Sequence, residues 1–148
     1  MTYTPPTTEQ LFVLGHIARI DAMAAHEKFA AATPDMVEAI VTGIGEFAAD
    51  VYAPLNRVGD VDNPKWQDGK VTMPPGFKEA YRQFVEAGWG SLDGPGEYGG
   101  QDLPFTLATV VIEALGTADM GFTLCNILTP GAIHALMAYG TEEQRRTW

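Results

Sequence analysis

A glycine-rich string at residues 94–99 (GPGEYG) has the G-x-G-x-x-G spacing that other proteins use to bind dinucleotides. That chemistry needs a β-strand before the string and a helix after it, because the first N–H groups of the helix receive the pyrophosphate. No strand is predicted before residue 94, Pro95 lacks an N–H group, and Glu97 would repel phosphate. We therefore interpret the spacing as coincidental.

The histidines and the cysteine do not have the spacing of a metal site. His16 and His26 lie ten residues apart, His134 lies far from both, and no H-E-x-x-H string joins any of them. Each histidine is predicted to lie at the surface or half-buried. The single cysteine, Cys125, excludes an intramolecular disulfide and a multi-thiolate zinc site. Its neighbours are apolar and include no cation, which predicts an unreactive thiol in the core.

Glu113 is the carboxylate most worth attention, because only Glu113 and Asp119 carry a formal charge between residues 103 and 138. A carboxylate in an apolar cleft can act as a general base, whereas one that points to solvent or pairs with an arginine is structural. The sequence leaves both interpretations of Glu113 open. The chain has neither a G-x-S-x-G nucleophile elbow nor a Walker loop, so no catalytic residue and no self-contained active site are predicted.

The composition excludes one class of function. The 148 residues include 9 Lys and Arg against 19 Asp and Glu, which gives a net charge of −10. No basic cluster interrupts this acidity, so nucleic-acid binding is excluded. With 46% hydrophobic residues the chain can form the core of one domain. One cysteine and an N-terminus without a secretory signal pattern lead us to expect a cytoplasmic location.

Apolar residues recur at three- and four-residue spacing along most of the chain. This pattern predicts an all-α fold, an orthogonal or up-down bundle of about five to six helices. Threonine and proline residues mark the helix starts, and Gly88 marks the end of the third helix. The predicted helices span about residues 9–29, 34–55, 75–87, 103–117 and 119–138. A capping box formed by Thr141 and Gln144 predicts a further helix after residue 141.

Two loops interrupt the helical pattern. In the loop from Asn56 to Pro75, Asp68 and Gly69 predict a turn between two short extended pieces, and Trp66 is expected to pack against the body. The second loop, residues 88–100, has six glycines in thirteen positions and must turn sharply more than once.

The last two long helices carry almost no charge, which predicts that they are buried on all sides. The first three helices can cover one side of this pair, so we infer that the chain packs against more protein than it contains. Residues 120–139 contain no formal charge, but Asn126, Pro130 and His134 are poorly suited to a lipid bilayer. We interpret this segment as a buried helix of a soluble protein, with no membrane span.

The second half of the chain contains a recognisable order of strings. PGFKEAY (75–81) opens a helix and AGW (87–89) closes it; PGEYGG (95–100) and YGTEEQR (139–145) follow around two apolar helices. In this order, residues 73–148 resemble the N-terminal helical domain of acyl-CoA dehydrogenases. Residues 1–72, with APLNR at 53–57, resemble the N-terminal extension of a larger bacterial branch, the methylmercaptopropionyl-CoA dehydrogenase-like enzymes.

The resemblance implies an oxidoreductase that desaturates an acyl-CoA thioester with FAD and works as a homo-oligomer, a dimer or a tetramer. A glutamate base and the flavin site would come from other domains of the complete enzyme, so no catalytic, metal-binding or FAD-binding residue is assigned here. The N-terminal domain would supply one wall of the acyl pocket. The resemblance places Phe122, Thr123, Asn126 and Ile127 on that wall, while ordinary burial in a helix remains the alternative for each.

This chain departs from the family pattern because the parts after the first helical domain are missing. We therefore expect a domain that is truncated at its C-terminal end and inactive alone. The capped helix at Thr141, which is cut soon after it starts, and the uncharged helix pair fit that expectation. The alternative is a free-standing helical module that binds a protein partner.

Overall fold

A computed structural model describes residues 3–148, and those residues form a predominantly helical fold, as predicted. The first half contains α1 (Thr7–Phe12), which continues as a π turn (Val13–Ile17), α2 (Ile20–Ala24), a 3₁₀ turn (Glu27–Phe29), and α3 (Pro34–Phe47), which continues through a π turn (Ala48–Tyr52) into α4 (Ala53–Val61). The second half contains a hairpin of β1 (Lys65–Gln67) and β2 (Lys70–Thr72), α5 (Phe77–Glu86), a 3₁₀ turn (Gly96–Tyr98), α6 (Phe105–Ala118), α7 (Met120–Thr123), α8 (Leu128–Tyr139) and α9 (Glu142–Thr147).

The first predicted helix is broken into short pieces, so its prediction as one element was wrong. Arg19 adopts a left-handed conformation with φ of 54° between the π turn and α2. An α-helix of L-residues cannot pass through that conformation, so the chain must change direction there. The apolar spacing of this stretch carries no information on such a single-residue break.

The second predicted helix begins as expected and ends later than expected. The Met36 amide donates to the Thr33 hydroxyl at 3.3 Å, which confirms the threonine cap, and Pro34 occupies the first turn. The helix does not stop at Leu55 but continues to Val61. Its last two turns present polar residues to solvent while Val58 still packs on the core, so the apolar pattern fades before the helix ends.

The loop prediction after α4 is confirmed for the turn and wrong for the tryptophan. Asp68 and Gly69 have φ of 49° and 77°, the pair of positive values that a tight hairpin turn between antiparallel strands requires. Trp66 is 74% exposed instead of packed, because both faces of this two-stranded ribbon lie in solvent.

The end of α5 and the glycine-rich loop form a tightly bonded unit. Gly88 has φ of 73°, its amide donates to the Val85 carbonyl at 3.0 Å, and the Trp89 amide donates to the Phe84 carbonyl at 3.3 Å. These bonds are those of a Schellman cap and confirm Gly88 as the helix end. Further along, the Gly100 backbone lies directly against Gly94, where a Cβ atom would collide with a carbonyl group.

One hydrophobic core joins the N-terminal third of the chain to the rest. Its members come from the first π turn through α7, and α6 is the most deeply placed helix. The largest completely enclosed side chains of this core include Tyr52, Ile44, Leu107 and Leu115. The core runs across residues 72 and 73, where the sequence predicts a boundary between an extension and a domain. That boundary stays a prediction.

Burial of the last long helix was predicted wrongly. No residue of α8 is buried, and Leu128 is 77% exposed. Residues Met120–Tyr139 together are long and apolar enough to cross a bilayer by length and composition, and only 11% of the apolar window is buried in this structure, so the predicted burial of this segment was wrong as well. Residues 124–127 interrupt the segment, so the 12 residues of α8 span about 18 Å, less than the bilayer core of about 30 Å.

The capping box that starts the last helix is confirmed. The Thr141 amide donates to the Gln144 side chain at 2.9 Å, and the Gln144 amide donates to the Thr141 hydroxyl at 3.3 Å. Arg145, one turn into α9, donates to the carbonyls of Leu136 and Met137, which satisfies the end of α8. The two helices therefore form one hairpin.

The glycine loop makes a specific prediction about stability. Gly100→Ala is expected to lower the free energy of unfolding by more than about 2 kcal/mol, because the new methyl group meets the backbone of Gly94 and neither side can move freely. Gly131→Ala is the matched control. Nothing lies within 4 Å of its Cβ position in α8, so it should raise helix stability by about 0.5–1 kcal/mol. Urea denaturation of both variants measures the difference, and equal midpoints would contradict the loop geometry.

Candidate functional site

The four residues predicted to line a pocket follow a sharp turn between α6 and α7. Asp119 fixes this turn, because its Oδ1 accepts from the Phe122 amide at 3.0 Å and its carbonyl accepts from the Thr123 hydroxyl at 2.8 Å. Asp119 is buried, as is Thr123, which is 1% exposed. The turn is therefore held rigidly by bonds that water cannot easily replace.

Phe122 points into the core and not into a cleft. Its ring stacks on Tyr52 with centroids 4.8 Å apart and meets Phe77 at 4.7 Å. It is 7% exposed, so it takes the buried position that the sequence left as the alternative to a pocket residue. These three rings join α5 and the π turn before α4 to α7.

Asn126 and Tyr52 form a polar link across this part of the core. The Asn126 amide nitrogen donates to the Tyr52 hydroxyl at 2.8 Å, and the Cys125 thiol donates to the Asn126 amide oxygen at 3.3 Å. Tyr52 is completely buried. Burial raises the pKa of Tyr52 to about 12, while the hydrogen bond from Asn126 acts in the opposite direction.

Two spaces meet at Asn126. The first, here the outer cleft, is a groove of about 200 Å³ lined by Tyr81, Phe84, Val85, Gly88, Gly90, Ser91, Asn126 and Thr129. The second, here the inner cavity, is a gap of about 30 Å³ whose walls include Thr123, Asn126, Ile127 and Trp89. The structure thus brings three of the four predicted residues to one wall and sets Phe122 behind it. Their contact with a substrate stays a prediction.

The inner cavity has an unusual polar feature. The indole N–H of Trp89, which lines it, is buried and has no hydrogen-bond partner among the described residues. The cavity is large enough for a water molecule, which could accept from that N–H group. Trp89 also lies against Phe47, with ring centroids 6.3 Å apart, so it connects the cavity to α3.

The remaining chemistry-bearing residues are dispersed. Cys125 is exposed, which corrects the prediction of a core thiol, although partial burial still raises its pKa. The residue falls in the short interruption between α7 and α8, where the apolar sequence does not face the core. Glu113 is exposed and accepts from the Gln10 amide at 3.5 Å, which favours its structural interpretation. Within residues 3–148, no three His, Cys, Asp or Glu side chains are grouped as metal ligands require.

The glycine-rich string does not form a nucleotide-binding loop. Residues 96–98 form a single 3₁₀ turn after the extended Pro95, without the strand and long helix that a pyrophosphate site requires. The only charged side chain in this turn is Glu97, which would repel a phosphate. The residues of this string therefore do not fit a dinucleotide such as FAD.

The α8–α9 hairpin is attached to the glycine loop by polar contacts. His134 bonds to Asp93 at 2.9 Å, and the Tyr98 hydroxyl donates to Glu142 at 3.1 Å. The His134 ring also meets the edge of Phe105 at 5.8 Å. All three histidines are exposed, as their sequence context predicted.

Sequence reasoning missed Tyr52 and Asp119. Tyr52 lay on the long apolar stripe of the second helix, and nothing local distinguishes a tyrosine that receives a hydrogen bond from one that only packs. Asp119 did carry a signal, since it is one of two charges in residues 103–138 and aspartate is favoured at the N-cap of a helix. Its role could have been predicted from that preference.

The buried phenol predicts a pH dependence of stability. The folded state keeps the Tyr52 proton up to about pH 12, whereas an unfolded tyrosine loses it near pH 10.0. The stabilising contribution is therefore complete below pH 10 and is lost as the pH rises, by at most about 1.4 kcal/mol per pH unit. Chemical denaturation between pH 9 and 12 should show a steeper loss for the native chain than for Tyr52→Phe. The exposed Tyr139→Phe should keep the native slope, and a native slope in Tyr52→Phe would contradict the assignment.

The placement of the wall residues predicts unequal costs of truncation. Phe122→Ala should lower the free energy of unfolding by about 3–5 kcal/mol, because it leaves a hole between Tyr52 and Phe77. Ile127→Ala should cost less than about 2 kcal/mol, since Ile127 is 38% exposed. Urea denaturation measures both. Equal costs would mean that Ile127 is as deeply packed as Phe122.

Two comparisons with known proteins bear on this site. The protein-family model described as the acyl-CoA dehydrogenase N-terminal domain matches residues 34–148. A 3-methylmercaptopropionyl-CoA dehydrogenase from Ruegeria pomeroyi is 36% identical over 145 residues, which is 98% of this chain and 25% of the relative. The chain thus spans about a quarter of that relative's length. The match covers α3 to α9, including the turn that holds the candidate wall. The chain therefore belongs to the acyl-CoA dehydrogenase family, as a homologue of its N-terminal helical domain.

Proposed function

We propose that this chain acts as the N-terminal helical domain of a FAD-dependent acyl-CoA dehydrogenase, in which it supplies one wall of the acyl pocket. The observation that carries this proposal is that Thr123, Asn126 and Ile127 line the inner cavity, and Asn126 also lines the outer cleft, within the region that matches the family's N-terminal domain. Such a wall can exclude water from an acyl chain and orient it, which are the tasks proposed for this domain.

The redox chemistry belongs to other parts of the enzyme in this proposal. The family is FAD-dependent, and the flavin supplies the hydride acceptor when it is bound. The glycine string does not fit this cofactor, and the described residues group no carboxylates around the two spaces that could serve as a base. Asp93 borders the inner cavity, but it is bonded to His134. The chain alone is therefore expected to be inactive.

Exposed apolar surface supports a role within a larger assembly. Leu128, Tyr139 and Trp148 are each more than three-quarters exposed, and all three lie on or beside the α8–α9 hairpin. Burial of such side chains against further protein would be favourable. We extend the proposal to a homo-oligomeric enzyme of the cytoplasm, in which this hairpin contributes to packing between domains or subunits.

A chimera tests the proposal directly. This chain would replace the homologous quarter of the Ruegeria pomeroyi relative, and the product would be assayed for FAD content and for acyl-CoA-dependent reduction of an electron acceptor. We expect the chimera to bind FAD and to turn over, because the chain supplies the same wall. The matched control is the relative without that quarter, which should have little or no activity.

Two results would contradict the proposal. A chimera that binds FAD and is as stable as the relative, yet does not oxidise acyl-CoA, would show that this chain cannot form the wall. Turnover by the isolated 148-residue chain would show that it does not depend on other domains.

The exposed face of α8 also favours a second candidate, a helical module that binds a protein partner. Such a module would be a monodisperse chain or oligomer with a cooperative thermal transition, because its surface would be adapted to solvent. A domain taken from a larger enzyme would instead aggregate through its apolar surface. Light scattering of the purified chain distinguishes the two.

A further inference from the structure

We propose that Tyr52 is a positioning residue that holds the Asn126 amide as the hydrogen-bond donor of the outer cleft, so that the cleft selects acyl chains with an acceptor atom in their tail. This inference rests on the proposed function and deepens it. It names the feature of the substrate that the wall recognises and the buried residue that makes the recognition possible.

The hydrogen-bond inventory of Asn126 leaves one donor free. A side-chain amide has two N–H groups and one oxygen. One N–H group donates to the Tyr52 hydroxyl at 2.8 Å, and the oxygen accepts from the Cys125 thiol at 3.3 Å. Within the part of the chain that the structure describes, the second N–H group has no partner. Since Asn126 is half-buried and borders the outer cleft, a ligand in that cleft can receive it.

Tyr52 can fix this amide because it is itself immobile. The side chain is completely buried, and its ring packs against those of Phe122 and Phe47, with centroids 4.8 Å and 5.6 Å away. A phenol enclosed in this way is not free to follow a moving partner. The Asn126 amide is therefore pre-oriented before a ligand arrives, and no rotamer entropy is lost when it binds.

The other walls of the outer cleft are mostly apolar. Phe84, Val85 and the ring of Tyr81 present apolar surface from α5, and the Tyr81 side chain as a whole is 47% exposed. The Ser91 hydroxyl already donates to the Gly88 carbonyl at 3.0 Å, so it is not free to donate to a ligand. In such surroundings an acyl tail with an acceptor gains a bond, whereas an all-methylene tail leaves the amide N–H group unpaired when water is displaced.

The remaining polar groups of the lining side chains are two hydroxyls, that of Tyr81 and that of Thr129, which lies on the first turn of α8. A hydroxyl both donates and accepts, and it rotates to suit its neighbour. It therefore cannot impose a donor at one place as a clamped amide can. The selectivity is assigned to Asn126 for this reason.

The kinetic test uses the chimeric enzyme described above. Its substrates are acyl-CoA thioesters of equal length in which an ether oxygen replaces each tail methylene group in turn, against the all-methylene compound. We expect one ether position to be preferred by roughly 2- to 10-fold in kcat/KM, the effect of one net hydrogen bond. The preference should appear in KM, because the tail lies away from the reacting carbons.

Three variants assign that preference to the proposed pair. Asn126→Leu and Tyr52→Phe should both abolish it, so that ether and all-methylene substrates are turned over with equal kcat/KM while FAD content persists. Tyr139→Phe removes a hydroxyl that is 90% exposed and should keep the preference. A merely structural Tyr52 would lower stability without changing the ratio between ether and methylene substrates. An unchanged ratio in Tyr52→Phe, or no preferred ether position in the unaltered chimera, overturns the inference.

A second measurement is independent of catalysis, so that failure of the chimera is not confused with failure of this inference. Hydrogen exchange of side-chain amides is measured by NMR on the intact 148-residue chain. The Asn126 amide should exchange more slowly than that of exposed Asn56, and Tyr52→Phe should remove the difference. If Asn126 and Asn56 exchange equally fast in the unaltered chain, the amide is not held and the inference fails.

Discussion

The contact between Tyr52 and the turn after α6 joins the two halves of this helical fold. Its ring stacks on Phe122, and its hydroxyl receives the Asn126 amide, a bond between residues separated by 74 positions in sequence. The turn itself is fixed from within by Asp119. The outer cleft exists because α5 and residues 126–129 are both held against this contact. Without it, the candidate wall would be a loose connection between helices.

Local features of the fold were predictable because their causes are local. The Thr33 cap, the Gly88 helix end and the capping box at Thr141 each depend on residues within five positions of one another. The break at Arg19 has no such signal, since a left-handed arginine is selected by packing and not by its own preference. Helix ends marked by glycine or threonine were therefore found, and the unmarked break was not.

The candidate site was only partly predictable for the same reason. The resemblance singled out Thr123, Asn126 and Ile127 along the chain, whereas their common position beside the inner cavity emerges only in three dimensions, and their contact with a substrate stays a prediction. The prediction that α8 is buried was wrong, because an apolar sequence indicates that a helix favours packing against other protein but not that this protein is present. For Phe122, the apolar side chain alone did not indicate whether the residue faces a cleft or the core, and the structure places it in the core.

The π turn at Ala48–Tyr52 has a consequence for how the length of this chain can vary. A π turn holds one residue more than the α-helical turn it replaces, and each residue of an α-helix advances about 100° around the axis. Loss of one residue there would restore a regular helix and leave α4 on nearly the same side of α3, because the π turn already absorbs that residue. Leu55 would keep its place in the core, while Pro54 would lose the widened turn that precedes it. A one-residue deletion in this segment is therefore compatible with the packing of α4, whereas the same deletion within the regular part of α3 would turn everything after it by about 100°.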